Sequence, residues 1–290
     1  LLKSDSTFGP FPFPVSATEN GIMVNGREIP VTRAGLGEWD WKPFNVDVVV
    51  ESTGKVKKRA DLARHLEAGA KKVIASAPVS DADVTIVMGV NDGEYDAAAH
   101  DVISAASCTT NCLAPAAKVI NDTFGIRHGL MTTIHSYTMS QRILDGSHKD
   151  LSRARACAMS MIPTSTGAAK ATALVIPALK GKLDGMAVRV PTPNVSLVDL
   201  TCELERDADA ASVNAALKAA SEGPMKDNMG YCEEPLVSVD FNGSTCGGVV
   251  DSLLTAVMDK RMLKLIIWYD NEAGFTNQLA RLVRLVGGRR

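Results

Sequence analysis

The segment Ser107-Cys108-Thr109-Thr110-Asn111-Cys112 joins two unlike halves of the chain, because it closes one apolar run and opens an amphipathic helix. Upstream, Asp101-Val102-Ile103-Ser104-Ala105-Ala106 reads as a buried strand. Downstream, Cys112, Leu113, Ala116, Val119 and Ile120 recur three to four residues apart, as one helix face requires. Cys108 therefore stands at a helix N-terminus, where the dipole and unpaired backbone N–H groups favour thiolate over thiol. The thiolate is the nucleophile. Cys112, one turn further on, reads as a packing residue.

The two halves carry different patterns. Residues 1–45 read as extended loop, Gly9-Pro10-Phe11-Pro12-Phe13-Pro14, and as a hairpin with Asn25-Gly26 between Ile22-Met23-Val24 and Ile29-Pro30-Val31. Val46-Asp47-Val48-Val49-Val50-Glu51, followed by a Thr53-Gly54 turn, predicts a central parallel strand covered on both faces. A helix follows with Leu62, Ala63 and Leu66 on one face and Gly69 as its stop. Two short apolar runs, Lys72–Ala75 and Val84–Met88, complete a β–α–β order. That order belongs to a doubly wound nucleotide-binding sheet. Beyond Cys108, strand-like stretches at 129–138, 185–204, 235–241 and 262–269 with few helices between them predict a mainly antiparallel sheet. Val213, Leu217 and Ala220 mark a helix ending near Gly223; Leu279, Leu282, Val283 and Val286 mark the last one. The expected fold is an α/β, Rossmann-like nucleotide-binding domain plus an α+β catalytic domain.

A length of 290 residues suits two domains, and 46% hydrophobic residues supply their cores. A net charge of −2 argues against a nucleic-acid surface. Arg281, Arg284, Arg289 and Arg290 read as a solvated helix face and tail. No uncharged apolar run reaches the roughly 18 residues of a membrane span, so no membrane contact is expected. Six cysteines are too few for a disulfide scaffold at this length, and no signal peptide precedes them, so a reducing, cytoplasmic setting is expected. Cys108 and Cys112, even with His135 and His148, lack the second close pair a zinc site needs, and no metal is expected.

Three further positions carry chemistry by their type and setting. Arg189 interrupts the apolar strand Met186-Ala187-Val188-Arg189-Val190, where an unpartnered charge is costly. Thr166-Gly167 opens the helix-like Ala168-Ala169-Lys170, a reasonable anion site. His135 offers an imidazole that titrates near neutrality and can pair with a thiolate. His65, His100, His128 and His148 have no comparable setting, and no chemistry is assigned to them.

The string Ser107-Cys108-Thr109-Thr110-Asn111-Cys112-Leu113-Ala114-Pro115 resembles the nucleophile motif of phosphorylating glyceraldehyde-3-phosphate dehydrogenases. So do Thr132-Thr133-Ile134-His135-Ser136-Tyr137-Thr138, the run Ile162–Lys170, Arg189–Ser196 and Trp268-Tyr269-Asp270-Asn271-Glu272, in the family's order and nearly its spacing. The resemblance covers essentially the whole chain. It implies that Cys108 adds to an aldehyde, that hydride transfer to a nicotinamide leaves a thioester, and that inorganic phosphate then releases an acyl phosphate. On glyceraldehyde 3-phosphate the product is 1,3-bisphosphoglycerate. His135 would be the base and the ion-pair partner that lowers the Cys108 pKa. Arg189 and Thr138 would bind the substrate's phosphate. Arg153, Thr166 and Gly167 would hold the attacking phosphate, with Ser107 and Thr109 beside the nucleophile. Asn271 would meet the nicotinamide amide, while Thr53, Gly54 and Ser76 line the cofactor at strand ends.

The same resemblance implies a cytoplasmic homotetramer. It divides the chain into a cofactor domain at 1–107, onto which a helix of 272–290 packs back, and a catalytic domain at 108–271. Leu1–Ser6 resembles the family some way into its first domain, so an opening βαβ unit of roughly 30 residues with a Gly-rich turn is expected to precede it. No Gly-x-Gly-x-x-Gly occurs in the chain. NAD is the expected cofactor; Gly146-Ser147, where strictly NAD-dependent relatives often carry Leu-Pro, resembles forms that accept NADP. The chain departs from the family at Met139-Ser140, where Gly or Asn then Asp is usual, at Ser152 and at Phe275. Ser140 is expected to weaken substrate positioning or loop pairing. Erythrose-4-phosphate dehydrogenase is an alternative against which Thr164–Lys170 argues. A non-redox cysteine acyltransferase using Cys108 and His135, or a non-enzymatic fragment that only binds partners, are the others.

Overall fold

The structure, a computed structural model, describes residues 1–288; Arg289 and Arg290 of the expected basic tail lie outside the described residues. The chain opens with two short antiparallel pairings. β1 (Ser4–Asp5) meets β2 (Gly9–Pro10), and β3 (Val15–Ala17), β4 (Gly21–Val24) and β5 (Arg27–Pro30) form a meander. Asn25 at φ 47° and Gly26 at φ 78° make the two-residue turn of the expected hairpin.

A parallel sheet follows, built from β6 (Val48–Glu51), β7 (Lys72–Ala75), β8 (Val84–Thr85) and β9 (Val102–Ser104) in the order β6-β7-β9-β8. Helix α1 (Arg59–Glu67) crosses from β6 to β7 and buries Leu62 completely. The valine run departs from expectation in one respect. β6 is an edge strand among the described residues, and Val50 is exposed rather than covered. The opposite face of the sheet is closed by α5 (Ala273–Val286), whose Leu279, Leu282, Val283 and Val286 pack on Ile74, Ile86 and Ile103.

Helix α2 (Cys108–Phe124) leads into a seven-stranded sheet of order β11-β12-β10-β13-β16-β15-β14. Its strands are β10 (Ile126–Ser136), β11 (Ile162–Ser165), β12 (Leu183–Val190), β13 (Ser196–Leu204), β14 (Met229–Cys232), β15 (Gly248–Met258) and β16 (Met262–Tyr269). Four of the six pairings are antiparallel, and β10–β12 and β14–β15 run parallel. One face is covered by α2, α3 (Ala168–Val175) and α4 (Ala210–Glu222), which share the main core with Met131, Val198, Leu200 and Leu265.

The expected strand at 235–241 is instead a loop with a 3-10 turn at Ser238–Phe241, because the Asp240 carboxylate accepts the Val237 N–H at 2.8 Å and turns the chain. The stretch 185–204 is two strands, divided where Val195 takes φ 66°. Among the described residues no helix is long and apolar enough to cross a membrane.

Candidate active site

Cys108 is placed by a sharp turn. Ala106, fully buried, takes φ 58°, a left-handed conformation that costs a non-glycine residue energy and recurs at functional sites. Ser107 is the N-cap of α2, its Oγ accepting the Thr110 N–H at 3.1 Å. Cys108 is thus the first helical residue, half-buried, and Cys112 behind it is fully buried with its thiol toward the Ile267 carbonyl.

Strand β10 brings His135 to this point from 27 residues away, with Nε2 3.5 Å from the Cys108 Sγ. Arg189 arrives on the neighbouring β12, directly opposite His135 in the parallel register. Its Nη1 lies 2.7 Å from His135 Nδ1 and 2.9 Å from the Ser136 carbonyl, while its Nε is buried without a hydrogen-bond partner. Nδ1 also stands 2.7 Å from the Ser136 carbonyl. A neutral imidazole nitrogen cannot accept from Arg189 and donate to Ser136 at once. The two hydrogens on Nη1 satisfy both acceptors together, which puts the His135 proton on Nε2, facing the sulfur.

These groups line a cavity of about 140 Å³ together with Ser107, Thr109, Thr166 and Gly167. Gly167 is also the N-cap of α3 and carries no side-chain cap, so the helix start is open toward that space. Tyr269 supports the floor. Its hydroxyl links Thr109 Oγ1 at 2.9 Å to Thr133 Oγ1 at 2.8 Å, and its ring stands edge-on to His135. The motif around Tyr269 was visible in the sequence, but its tie to Thr109 and Thr133 exists only once three elements pack.

Electrostatics here depart from the expected thiolate–imidazolium pair. Burial raises the Cys108 thiol above its ordinary value, opposed by the Thr109 hydroxyl and the Arg189 charge. Burial and then Arg189 push His135 down to about 3. The balance favours the neutral form of each: at Cys108 desolvation outweighs the Arg189 charge, and at His135 the two act together.

Thr138 and Arg153 do not line the cavity. Thr138 lies beyond the end of β10, its Oγ1 2.9 Å from Ser140 Oγ, which also accepts from Gln141 Nε2. Ser140 thus makes side-chain bonds to both Thr138 and Gln141 within the loop. Arg153 is half-buried, donates from Nε and Nη2 to Thr164 Oγ1, and lies close enough for its charge to act on Arg189. Arg155 is an exposed partner of Asp145.

The expected cofactor residues lie at strand ends. Thr53 and Gly54 follow β6, and Ser76 follows β7, at the C-terminal edge of the parallel sheet where ligands of open α/β sheets bind. Gly54 takes φ 70° and faces open space, so its backbone is approachable. Asn271 follows β16, with Oδ1 accepting from Ser196 Oγ at 2.8 Å and its amide nitrogen left for a ligand acceptor. Ser196 Oγ in turn accepts the Ser136 N–H, tying Asn271 to the strand that carries His135. Asn271 thus offers a donor and Gly54 an open backbone, both of which suit a dinucleotide.

Comparison with known proteins shows the family. Residues 107–271 match the C-terminal domain of glyceraldehyde 3-phosphate dehydrogenase, and residues 1–59 match its NAD binding domain. The chain belongs to the glyceraldehyde-3-phosphate dehydrogenase family. It is 58% identical over 290 residues to glyceraldehyde-3-phosphate dehydrogenase of Geobacillus stearothermophilus, covering all of this chain and 87% of that protein. Identity to glyceraldehyde-3-phosphate dehydrogenase 1 of Bacillus cereus is 58%, over 97% of this chain and 85% of the relative. Glyceraldehyde-3-phosphate dehydrogenase 2 of Bacillus subtilis is 49% identical over all of this chain and 85% of the relative. The chain is an oxidoreductase by that membership. Thr53 and Gly54 fall within the NAD binding match, and Cys108, His135, Arg189 and Asn271 within the C-terminal match.

Proposed function

We propose that this protein oxidises and phosphorylates glyceraldehyde 3-phosphate to 1,3-bisphosphoglycerate, using NAD, through a thioester on Cys108. The observation that carries this reading is the Cys108–His135–Arg189 cluster, in which a nucleophile, a base and an unsatisfied guanidinium face one small cavity. The substrate phosphate satisfies Arg189 Nε and draws the guanidinium off His135 Nδ1. By exchange with water the imidazole proton shifts from Nε2 to Nδ1, which donates it to the Ser136 carbonyl. Nε2 takes the thiol proton as sulfur bonds the aldehyde carbon and returns it to the carbonyl oxygen, giving the hemithioacetal hydroxyl. His135 next takes the hemithioacetal hydroxyl proton as the thioester forms. Bound NAD supplies the hydride acceptor, held by Asn271, Thr53, Gly54 and Ser76. Inorganic phosphate, at Thr166, Gly167 and Arg153 with Ser107 and Thr109 beside the sulfur, attacks the thioester carbon. The carbon–sulfur bond breaks, and the departing Cys108 sulfur takes back the proton held on His135 Nε2.

In the same reading residues 1–107 with the helix of 272–290 carry the cofactor, and 108–271 carry the chemistry. Six free cysteines suit the cytoplasm. A homotetramer is the assembly, supported by a row of exposed apolar side chains, Met139, Ile143, Leu144, Leu151, Met159 and Met161, on the loop that follows His135. Turnover of glyceraldehyde 3-phosphate with NAD and phosphate tests the reaction, with erythrose 4-phosphate as the competing aldehyde. Cys108→Ser should keep the circular dichroism of the fold and lose both turnover and the acyl-enzyme detected by mass spectrometry. Near-normal turnover in that variant, or preference for erythrose 4-phosphate, would defeat the proposal.

A further inference from the structure

A second cluster of buried polar groups lies in the parallel sheet, away from the sulfur. Glu51, the last residue of β6, and His65 on α1 are both buried, at 6% and 2% exposure. His65 Nε2 lies 3.1 Å from Glu51 Oε2, and His65 Nδ1 lies 3.1 Å from Trp41 Nε1. Indole nitrogen can only donate, so Nδ1 must accept and the single imidazole proton sits on Nε2. His65 therefore donates to Glu51. Trp39 stacks on the other side of the imidazole, with ring centroids 3.8 Å apart. The ring has one tautomer and one orientation available.

The other Glu51 oxygen faces the strand end. Oε1 accepts the Thr53 N–H at 2.8 Å and also the Thr53 hydroxyl. Thr53 thereby has both its donors fixed inward and accepts Lys55 N–H at 3.2 Å, so its turn is set from below while Gly54 stands open beside it. Burial pushes Glu51 up, but the Thr53 hydroxyl and amide and the His65 bond outweigh it and hold the carboxyl below its ordinary range. Burial lowers His65, with Glu51 pulling the other way. The further charged side chain acting on the pair is Arg64, also on α1; Trp39, Trp41 and Thr53 contribute no charge.

We propose that Glu51 and His65 are positioning residues for the dinucleotide: the Trp41–His65–Glu51 relay fixes the Thr53–Gly54 turn against which the cofactor docks, without touching it. This rests on the reading that the turn binds the cofactor, and the test separates the two. NAD dissociation constants are measured by calorimetry across pH for the full chain, His65→Gln, His65→Leu, Glu51→Gln and Thr53→Val. His65→Gln keeps an N–H donor near Nε2 and should bind NAD as the parent does. His65→Leu leaves the carboxylate without that donor, and NAD should bind about tenfold more weakly, the effect of one lost charge-assisted bond. Its kcat at saturating NAD and the alkylation rate of Cys108 should stay unchanged. Because the Glu51 carboxyl then titrates at higher pH, the fall in NAD affinity on acidification should also begin at higher pH than in the parent. Glu51→Gln, isosteric and with a single acceptor oxygen for both Thr53 and His65, should weaken NAD binding even if His65→Leu fails to fold. Parent-like affinity and pH profile in folded Glu51→Gln or His65→Leu would overturn the relay. Parent-like NAD affinity in Thr53→Val would overturn the cofactor reading of the turn instead.

Discussion

At the scale of single residues, His135, the proposed base, also bears on stability. Its folded pKa of about 3 lies below the 6.5 of the free side chain, so the unfolded chain binds the extra proton first on acidification. The neutral, buried ring thus contributes stability that is fully present above about pH 6.5 and is lost as pH falls toward 3. Between pH 7 and pH 5 that loss is about 2 kcal/mol. Urea titrations of the parent and His135→Asn at both pH values should show the parent losing about that much more; equal losses would mean that the ring is not held neutral. Arg189 and Arg153 are separable too. Arg189 faces His135 with an unsatisfied Nε, whereas Arg153 is anchored on Thr164. Arg189→Leu should weaken binding of the phosphorylated aldehyde by roughly 1.5–3 kcal/mol, and affect an unphosphorylated aldehyde much less. Arg153→Leu should instead raise the phosphate or arsenate concentration needed for turnover. Equal changes in both parameters for both variants would dissolve the two-site assignment.

Elements explain which parts of this architecture can be read ahead of the structure. The β6–α1–β7 order, Cys108 at the head of α2, and the apolar stripe of α5 are local patterns, each set by periodicity within one segment. β15 was not legible. Its register breaks between Asp251 and Ala256, and Leu253 and Leu254 are both exposed, so neither alternation nor a continuous buried run survives in the sequence. The false strand at 235–241 shows the converse, where one Asp240–Val237 bond turns an apolar run into a tight turn. In the site, Arg189 stood out by its type and setting, and Cys108 and His135 through the motifs around them. Glu51 with His65, and Tyr269 with Thr133, did not, since their meaning lies in partners 14 and 136 residues away. Helix α5 carries a prediction of its own. Leu282 is 1% exposed and fills the face of the parallel sheet against Ile74 and Ile103. Leu282→Ala should cost about 2–5 kcal/mol by transfer and cavity terms. An effect under 1 kcal/mol in denaturant titration would show that α5 is not an integral layer of that sheet.

For the whole molecule, the disposition of apolar surface argues for assembly. The chain has an ample buried core on both sheets, yet Met139, Leu151, Met159 and Met161 are 97%, 82%, 83% and 74% exposed on the one loop that follows β10. Leu130 and Met258 add exposed apolar groups on strands of the large sheet. Scattered apolar residues are ordinary on a surface, whereas this many on one connected loop support the proposed contact. In the proposed homotetramer, neighbouring copies cover them, and the loop is held in place by its partners as well as by the Thr138–Ser140–Gln141 bonds at its base. Because that loop also carries Arg153, the proposed assembly and the proposed phosphate site would be coupled. Replacing Leu151 and Met159 by Asp should lower the sedimentation coefficient from that of a tetramer to that of smaller species while circular dichroism stays unchanged. The concentration of inorganic phosphate giving half-maximal turnover should rise in the dissociated species, and NAD affinity should change little. A parent chain that sediments as a monomer would sink the assembly, and a dissociated variant with parent-like phosphate dependence would show that the loop holds Arg153 in place without its neighbours.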